Sequence, residues 1–224
     1  MLILGIDTSG KQGGIALWRD GALLDSAPIA GGTFSAQLIP QVAALLEKHK
    51  LNKSDLGGLA AASGPGSFTG LRVGLAAVKG LAEILGRPIA TVSVLEAVAL
   101  AAATEGKVIA ALDAQRQEIF LGEYEVARGS ARTLREELLT QAAFVAHLRG
   151  EAKPAAHVVT ADASVAALLH DSGLAAASVA RPGAADIARI GAAKIARGET
   201  VTVEQLDANY IRRSDAELFA KPAR

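Results

Sequence analysis

The chain has 224 residues, 50% of them hydrophobic and 4% aromatic, with 23 Lys+Arg against 23 Asp+Glu and no cysteine. That length and apolar content suffice for a sizeable core in one or two domains. A formal net charge of zero excludes the broad basic surface of a stand-alone nucleic-acid binder and argues against a membrane-surface protein, and the missing cysteines exclude disulfides, thiolate nucleophiles and cysteine metal sites. Met1 to Asp7 carries no basic leader and reaches an acid after a short apolar run, so the reading is a cytoplasmic chain without signal peptide or membrane span.

Leu2 to Ile6 is nearly continuous in branched apolar residues and ends at Asp7-Thr8-Ser9-Gly10, which predicts a buried central strand. Gly14–Arg19 and Ala22–Ser26 flank Asp20-Gly21, a hairpin signal because both residues tolerate positive φ. A helix follows over about Ser35 to His49, capped by Thr33 or Ser35, with Pro40 in its early turns. Leu38, Val42, Leu45 and His49 mark one stripe on it, and Ile39, Ala43 and Leu46 an adjoining one, an arc wider than one buried face requires. A strand at Leu59–Ser63 runs into Gly64-Pro65-Gly66-Ser67-Phe68-Thr69-Gly70 and a helix from about Leu71 to Leu85, stopped by Gly86 and Pro88. Ile89–Val92 reads as a strand, and Ser93-Val94-Leu95-Glu96 as a capping box that opens an alanine-rich helix to about Ala103.

At Val108 the pattern restarts. Val108–Asp113 is again a small apolar strand delivering an Asp, with a second strand at Glu118–Val126. Gly129 and Ser130 fall in a polar stretch expected to be a linker or surface loop. Then come a helix at Gln141–Leu148, a strand at His157–Thr160, and helices at Ala163–His170 and Ala184–Arg197. The chain divides near Glu105-Gly106 into residues 1–105 and 106–224, each half placing an Asp at a strand's C-terminal end, where α/β folds carry their sites.

Gly64, Gly66 and Gly70 between a strand and a helix suit either an anion held on backbone amides, with Ser67 and Arg72 nearby, or a tight turn with close helix packing. The Walker loop is excluded because Gly70-Leu71-Arg72 stands where Gly-Lys-Ser/Thr is required. Asp7, Thr8 and Ser9 with Asp113 suit a cation or phosphate, or a capped turn. No pair among His49, His147, His157 and His170 has the spacing that sets two ligands on one helical face, and no serine-hydrolase elbow is present. The single Trp18 is expected to pack on a strand. The tail from Asn209 to Arg224 sets Arg212, Arg213, Lys221 and Arg224 beside Tyr210 and Phe219, a solvated end or a docking arm.

Four blocks, Ile3-Leu4-Gly5-Ile6-Asp7-Thr8-Ser9, Gly64 to Gly74, Leu112-Asp113-Ala114-Gln115-Arg116 and Tyr210-Ile211-Arg212, together resemble the TsaB (YeaZ) family. The resemblance covers nearly the whole chain in order. It implies an actin-like (ASKHA, ribonuclease H-like) α/β fold of two related lobes. It also implies a part in making N6-threonylcarbamoyladenosine at position 37 of tRNAs that read codons beginning with adenine. In that family transfer belongs to the paralogous TsaD, joined by the ATPase TsaE, and TsaB is the dimerisation subunit, meeting TsaD through its first two helices. The resemblance thus implies a non-catalytic chain needing no cofactor, with ATP and metal in the partner subunits and tRNA reached through the complex. The TsaD contact, or self-association without TsaD, is expected at Leu38, Val42, Leu45, Leu71, Leu75 and Val78, and the rest of the site is a vestigial anion loop of Asp7, Thr8, Ser9, Gly64, Gly66, Ser67, Arg72 and Asp113. Two departures stand out: Phe34 occupies the place where relatives often carry histidine, and Asn209 or Ala208 that of a usual proline. The rival from the enzyme class is a nucleotide-dependent phosphotransferase or hydrolase using Asp7 and Asp113; a peptidase ranks third.

Overall fold

Strand β1 (Leu2–Asp7) is the middle of a five-stranded sheet of order β3-β2-β1-β4-β5 in the computed structural model, which describes residues 1–150 and 156–211. Its apolar run has no polar break because both faces are covered. Leu2, Leu4 and Ile6 pack with α1 (Phe34–Lys48) and α2 (Phe68–Leu85), while Ile3 joins a core that includes Ile187 and Ile190 of α6 (Ala184–Ala196). β2 (Gln12–Arg19) and β3 (Ala22–Ala30) form the expected hairpin, and β4 (Leu56–Gly64) and β5 (Ile89–Ser93) run parallel to β1. A short 3-10 turn at Lys53–Asp55 precedes β4.

The second half repeats this plan. β6 (Gly106–Gln115), β7 (Glu118–Ala127), β8 (Ser130–Thr140), β9 (His157–Thr160) and β10 (Ala177–Ser178) form a sheet of order β10-β9-β6-β7-β8. α4 (Gln141–Gly150) and α5 (Ala163–Asp171) bury Phe144, Val165 and Leu169 on one face, against Ile109, Ala111, Ile119 and Leu121. α3 (Val94–Ala101) covers the other face with Val94, Leu95 and Val98 among Val108, Ala110, Leu112 and Tyr124.

The third helix of each half therefore packs on the sheet of the other, and α3 and α6 form the layer between the sheets. A division at residue 105 separates the two sheets but not the packed bodies. α6 lies tight on the first sheet because a Cβ on Gly5 would come 2.6 Å from the Ala184 carbonyl, and one on Gly191 2.2 Å from the Ala60 methyl. Residues after α6 also return to the first half: Val201 bridges Ile89, Leu206 is buried in its core, and Asn209 N donates to Ser63 O at 2.7 Å.

Several local expectations are corrected. The polar stretch at Gly129 and Ser130 is a tight turn into β8, an edge strand with no buried residue and an exposed run over 132–135, which therefore lacks an apolar signature. Thr33 holds the N-cap position of α1 without a side-chain cap, its hydroxyl donating to Ala30 O instead. Ser93 likewise gives α3 no side-chain cap, so only the reciprocal half of the expected box forms: Glu96 accepts from the Ser93 backbone N–H and also pairs with Lys194 at 2.6 Å. α2 starts at Phe68, ahead of Leu71, because the Ser67 hydroxyl accepts from Gly70 N. Trp18 is half-buried on β2 as expected. Arg212, Arg213, Phe219, Lys221 and Arg224 lie outside the described residues. No described helix is long and apolar enough to cross a membrane.

Candidate functional site

The ends of β1 and β6 meet an open cleft of about 1160 Å³ between the halves, with Ser9, Ser67 and Thr69 on one wall and Asp113, Asp162 and Ser164 on the other. The two aspartates share one local turn. Asp7 Oδ1 accepts from Ser9 N at 2.9 Å and Ser9 Oγ at 2.7 Å, and Asp113 Oδ1 accepts from Gln115 N at 2.7 Å. Their surroundings differ. Asp113 borders the cleft, takes the Ser164 hydroxyl at 3.0 Å, and donates its own N–H to Asp162 at 2.8 Å. Asp7 is buried, and burial pushes its carboxyl above the usual range against the lowering pull of Ser9 and Arg181. Asp7 is not among the residues that line the cleft, whereas Asp113 is.

The glycines of the loop pack closely on the end of β1. A Cβ on Gly66 would sit 2.3 Å from Ser9 O, on Gly70 2.1 Å from Thr8 O, and on Gly74 2.3 Å from Thr8 Oγ1. Glycine at these places lets α2 lie directly on the end of β1. Two of the loop amides are engaged within the protein: Ser67 N donates to Ser9 O at 2.7 Å and Gly70 N to Ser67 Oγ at 3.2 Å. Gly64, at φ 118°, turns the chain beside Asn209. Arg72 points away from the cleft lining, donating through Nε to the Tyr210 hydroxyl at 3.1 Å and stacking 3.7 Å over the Phe68 ring. Of the expected anion loop, the structure brings Ser9, Gly66, Ser67 and Asp113 to the cleft and keeps Asp7, Thr8, Gly64 and Arg72 out of it.

The six residues expected to meet a partner are also corrected. Leu38, Val42, Leu45, Leu71, Leu75 and Val78 are all buried within the first half, at most 5% exposed, because α1 and α2 turn those stripes onto the sheet. What faces outward is the adjoining arc: Ile39 (49% exposed) and Ala43 on α1, with Ala76, Gly80 and Ile84 (74% exposed) on α2. Ile39 and Ala43 belong to the second stripe visible in the sequence; periodicity reveals two apolar faces but not which one the sheet takes.

Comparison with known proteins extends the geometry. Residues 28–207 match the family model described as "TsaD: tRNA N6-adenosine threonylcarbamoyltransferase". A Pseudomonas aeruginosa structure, titled an uncharacterized protein with similarity to peptidase YEAZ, superposes with TM-score 0.77 at 30% identity, covering 94% of this chain and 99% of that one. The chain belongs to the TsaB (YeaZ) family. The Escherichia coli protein named tRNA threonylcarbamoyladenosine biosynthesis protein TsaB is 34% identical over 128 residues, 56% of this chain and 55% of that one. The chain matches about half the length of such curated TsaB relatives. A Thermus thermophilus ROK hexokinase shares the fold at TM-score 0.52 and 14% identity, covering 88% of this chain and 100% of that one. The TsaB family fold is thus actin-like, as the repeated halves imply.

Proposed function

We propose that this chain serves the synthesis of N6-threonylcarbamoyladenosine in tRNA as a non-catalytic subunit. It binds TsaD, and with it TsaE, through the outward arc of α1 and α2. The observation that carries the role is the similarity to proteins named tRNA threonylcarbamoyladenosine biosynthesis protein TsaB. The binding surface draws support from Ile39 and Ile84, large apolar side chains left in solvent among Ala43, Ala76 and Gly80. Small residues on adjacent helices let a partner helix approach closely, and such a surface gains by being covered, by a second copy when TsaD is absent. Catalysis, ATP and metal belong in this reading to the partner subunits. The burial of Asp7 supports leaving them there rather than with a phosphotransferase built on Asp7 and Asp113.

The test is reconstitution of tRNA modification from purified TsaD, TsaE and this chain, with unmodified tRNA, ATP and threonylcarbamoyl-adenylate supplied as the group donor. Omission of the chain is expected to abolish or strongly reduce product; unchanged product overturns the role. Ile39→Glu and Ala76→Glu, both exposed and so compatible with folding, are expected to abolish the TsaD complex on size-exclusion chromatography. If both variants bind as the parent does, the surface is elsewhere.

A further inference from the structure

The segment that follows α6 is tied to both halves at a few points and is loosely packed between them. Val201 N donates to Ile89 O at 2.9 Å, Leu206 is buried in the core of the first half, and Asn209 N donates to Ser63 O at 2.7 Å. Asn209 Nδ2 reaches across to Glu136, so one residue joins the end of β4 to the edge strand β8 of the second sheet. Between these ties the chain satisfies itself: Thr202 N donates to Gln205 Oε1 at 3.1 Å and Gln205 N to Thr202 Oγ1 at 3.3 Å. Leu206 is the one buried residue from 199 to 211, and Val201, Val203 and Ala208 touch the first core only in part. A cavity of about 280 Å³ is lined by Val201, Gln205 and Asn209 of this segment together with Ser63, Ser93 and Glu136, so the segment spans a void rather than a packed surface.

The same segment backs the glycine loop. Asn209 O lies 3.2 Å from the place a Cβ on Gly64 would take, and Tyr210 seats on Phe68 and Arg72 at the start of α2. The neighbouring Ser67, Thr69 and Gly70 line the cleft, opposite Asp113, Asp162 and Ser164 of the second half. An element with little buried apolar surface opens locally at a lower free energy than the sheets it rests on. Here the span between Val201 and Asn209 rests on Leu206 alone, so its ties open together. We propose that residues 199–211 form a releasable strap, closed by Asn209, that fixes the glycine-loop wall of the cleft against the second half, and that the cleft widens when the strap opens. The strap is separate from the outward arc of α1 and α2, so failure of this proposal leaves the role in tRNA modification untouched.

Native-state hydrogen exchange on the full chain reads the opening, and a pair of spin labels reads the cleft. The amides of Val201 and Asn209 are expected to share one level of protection, lower than that of the β1 amides. Asn209→Asp sets a second carboxylate against Glu136 and is expected to reduce both protections by about tenfold, the loss that goes with a hydrogen bond to a charged group, with β1 unchanged. The chain has no cysteine, so Thr69→Cys and Ala163→Cys, exposed on opposite walls of the cleft, take labels without background. The pulsed-EPR distance between them is expected to gain a longer component in Asn209→Asp. Asn209→Ala removes the tie without adding charge; it is expected to show the same pattern and decides the matter if Asn209→Asp does not fold. Simple fraying from residue 211 inwards would instead lower protection stepwise toward the C-terminus and leave Val201 unmoved by either variant. That result, protection of Val201 and Asn209 equal to that of β1, or an unchanged distance distribution overturns the proposal.

Discussion

Arg72 and Tyr210, 138 positions apart, are joined by a 3.1 Å hydrogen bond from the guanidinium Nε to the phenol, and the Phe68 ring completes the stack at 5.5 Å from that of Tyr210. The glycine block and the C-terminal Tyr-Ile-Arg block therefore form one contact, which ties the segment after α6 to the start of α2. Tyr210→Phe is expected to cost about 0.5–1 kcal/mol, and a double-mutant cycle with Arg72→Ala to give a coupling of similar size, since the groups are exposed. Additive losses in urea denaturation would show that the contact does not fasten the segment.

Glu96 on α3 and Lys194 on α6 form a largely buried pair where the two exchanged helices approach each other. Burial pushes the Glu96 carboxyl up and Lys194 works against it. Lys194→Met leaves that carboxylate uncompensated and is expected to cost about 3–5 kcal/mol, whereas Glu96→Leu combined with Lys194→Met recovers most of the loss. Equal instability of the single and double variants in chemical denaturation would argue against an electrostatic origin.

Gly70 and Gly80 sit on the same helix and predict opposite responses. A Cβ at Gly70 collides with the Thr8 carbonyl, so Gly70→Ala is expected to destabilise by about 1–3 kcal/mol. A Cβ at Gly80 meets nothing within 4 Å, and Gly80→Ala should stabilise by about 0.5–1 kcal/mol. Thermal unfolding of the two variants checks the sign of each.

Asp25 on β3 accepts from Lys48 Nζ at 2.7 Å, pairs with His49 Nε2 at 2.7 Å and accepts from Ser26 N at 2.8 Å, which together hold its carboxyl well below the usual range. A carboxyl lowered by folding stabilises above its unfolded pKa, and that contribution is lost as pH falls. Asp25→Asn is therefore expected to be less stable than the parent at neutral pH and to lose less stability between about pH 5 and pH 2. Parallel stability curves over that range would contradict the pairing.

Much of this was readable in the residues. β1, the Asp20-Gly21 hairpin, α2 and the restart at Val108 are written in local patterns: branched runs, turn residues and stop signals. The chain could not display β8, because an edge strand with no buried residue imitates a polar loop. Nor could it say which stripe of α1 the sheet buries, and Leu38 and Val42 went inward while Ile39 stayed out. The glycine loop was ambiguous for a similar reason. Absence of a side chain suits both an anion and a close-packed backbone, and only the position of Thr8 and Ser9 under Gly66 and Gly70 separates the two.

The exchange of α3 and α6 between sheets sets a timetable for synthesis. When residue 105 leaves the ribosome, one face of the first sheet still lacks its cover, which is 79 to 91 residues further along the chain at 184–196. The first half must wait, exposing Ile3 and Ala60, until residues 184–196 have emerged. Fragments cut at that point should be poorly soluble apart yet complement each other when expressed together.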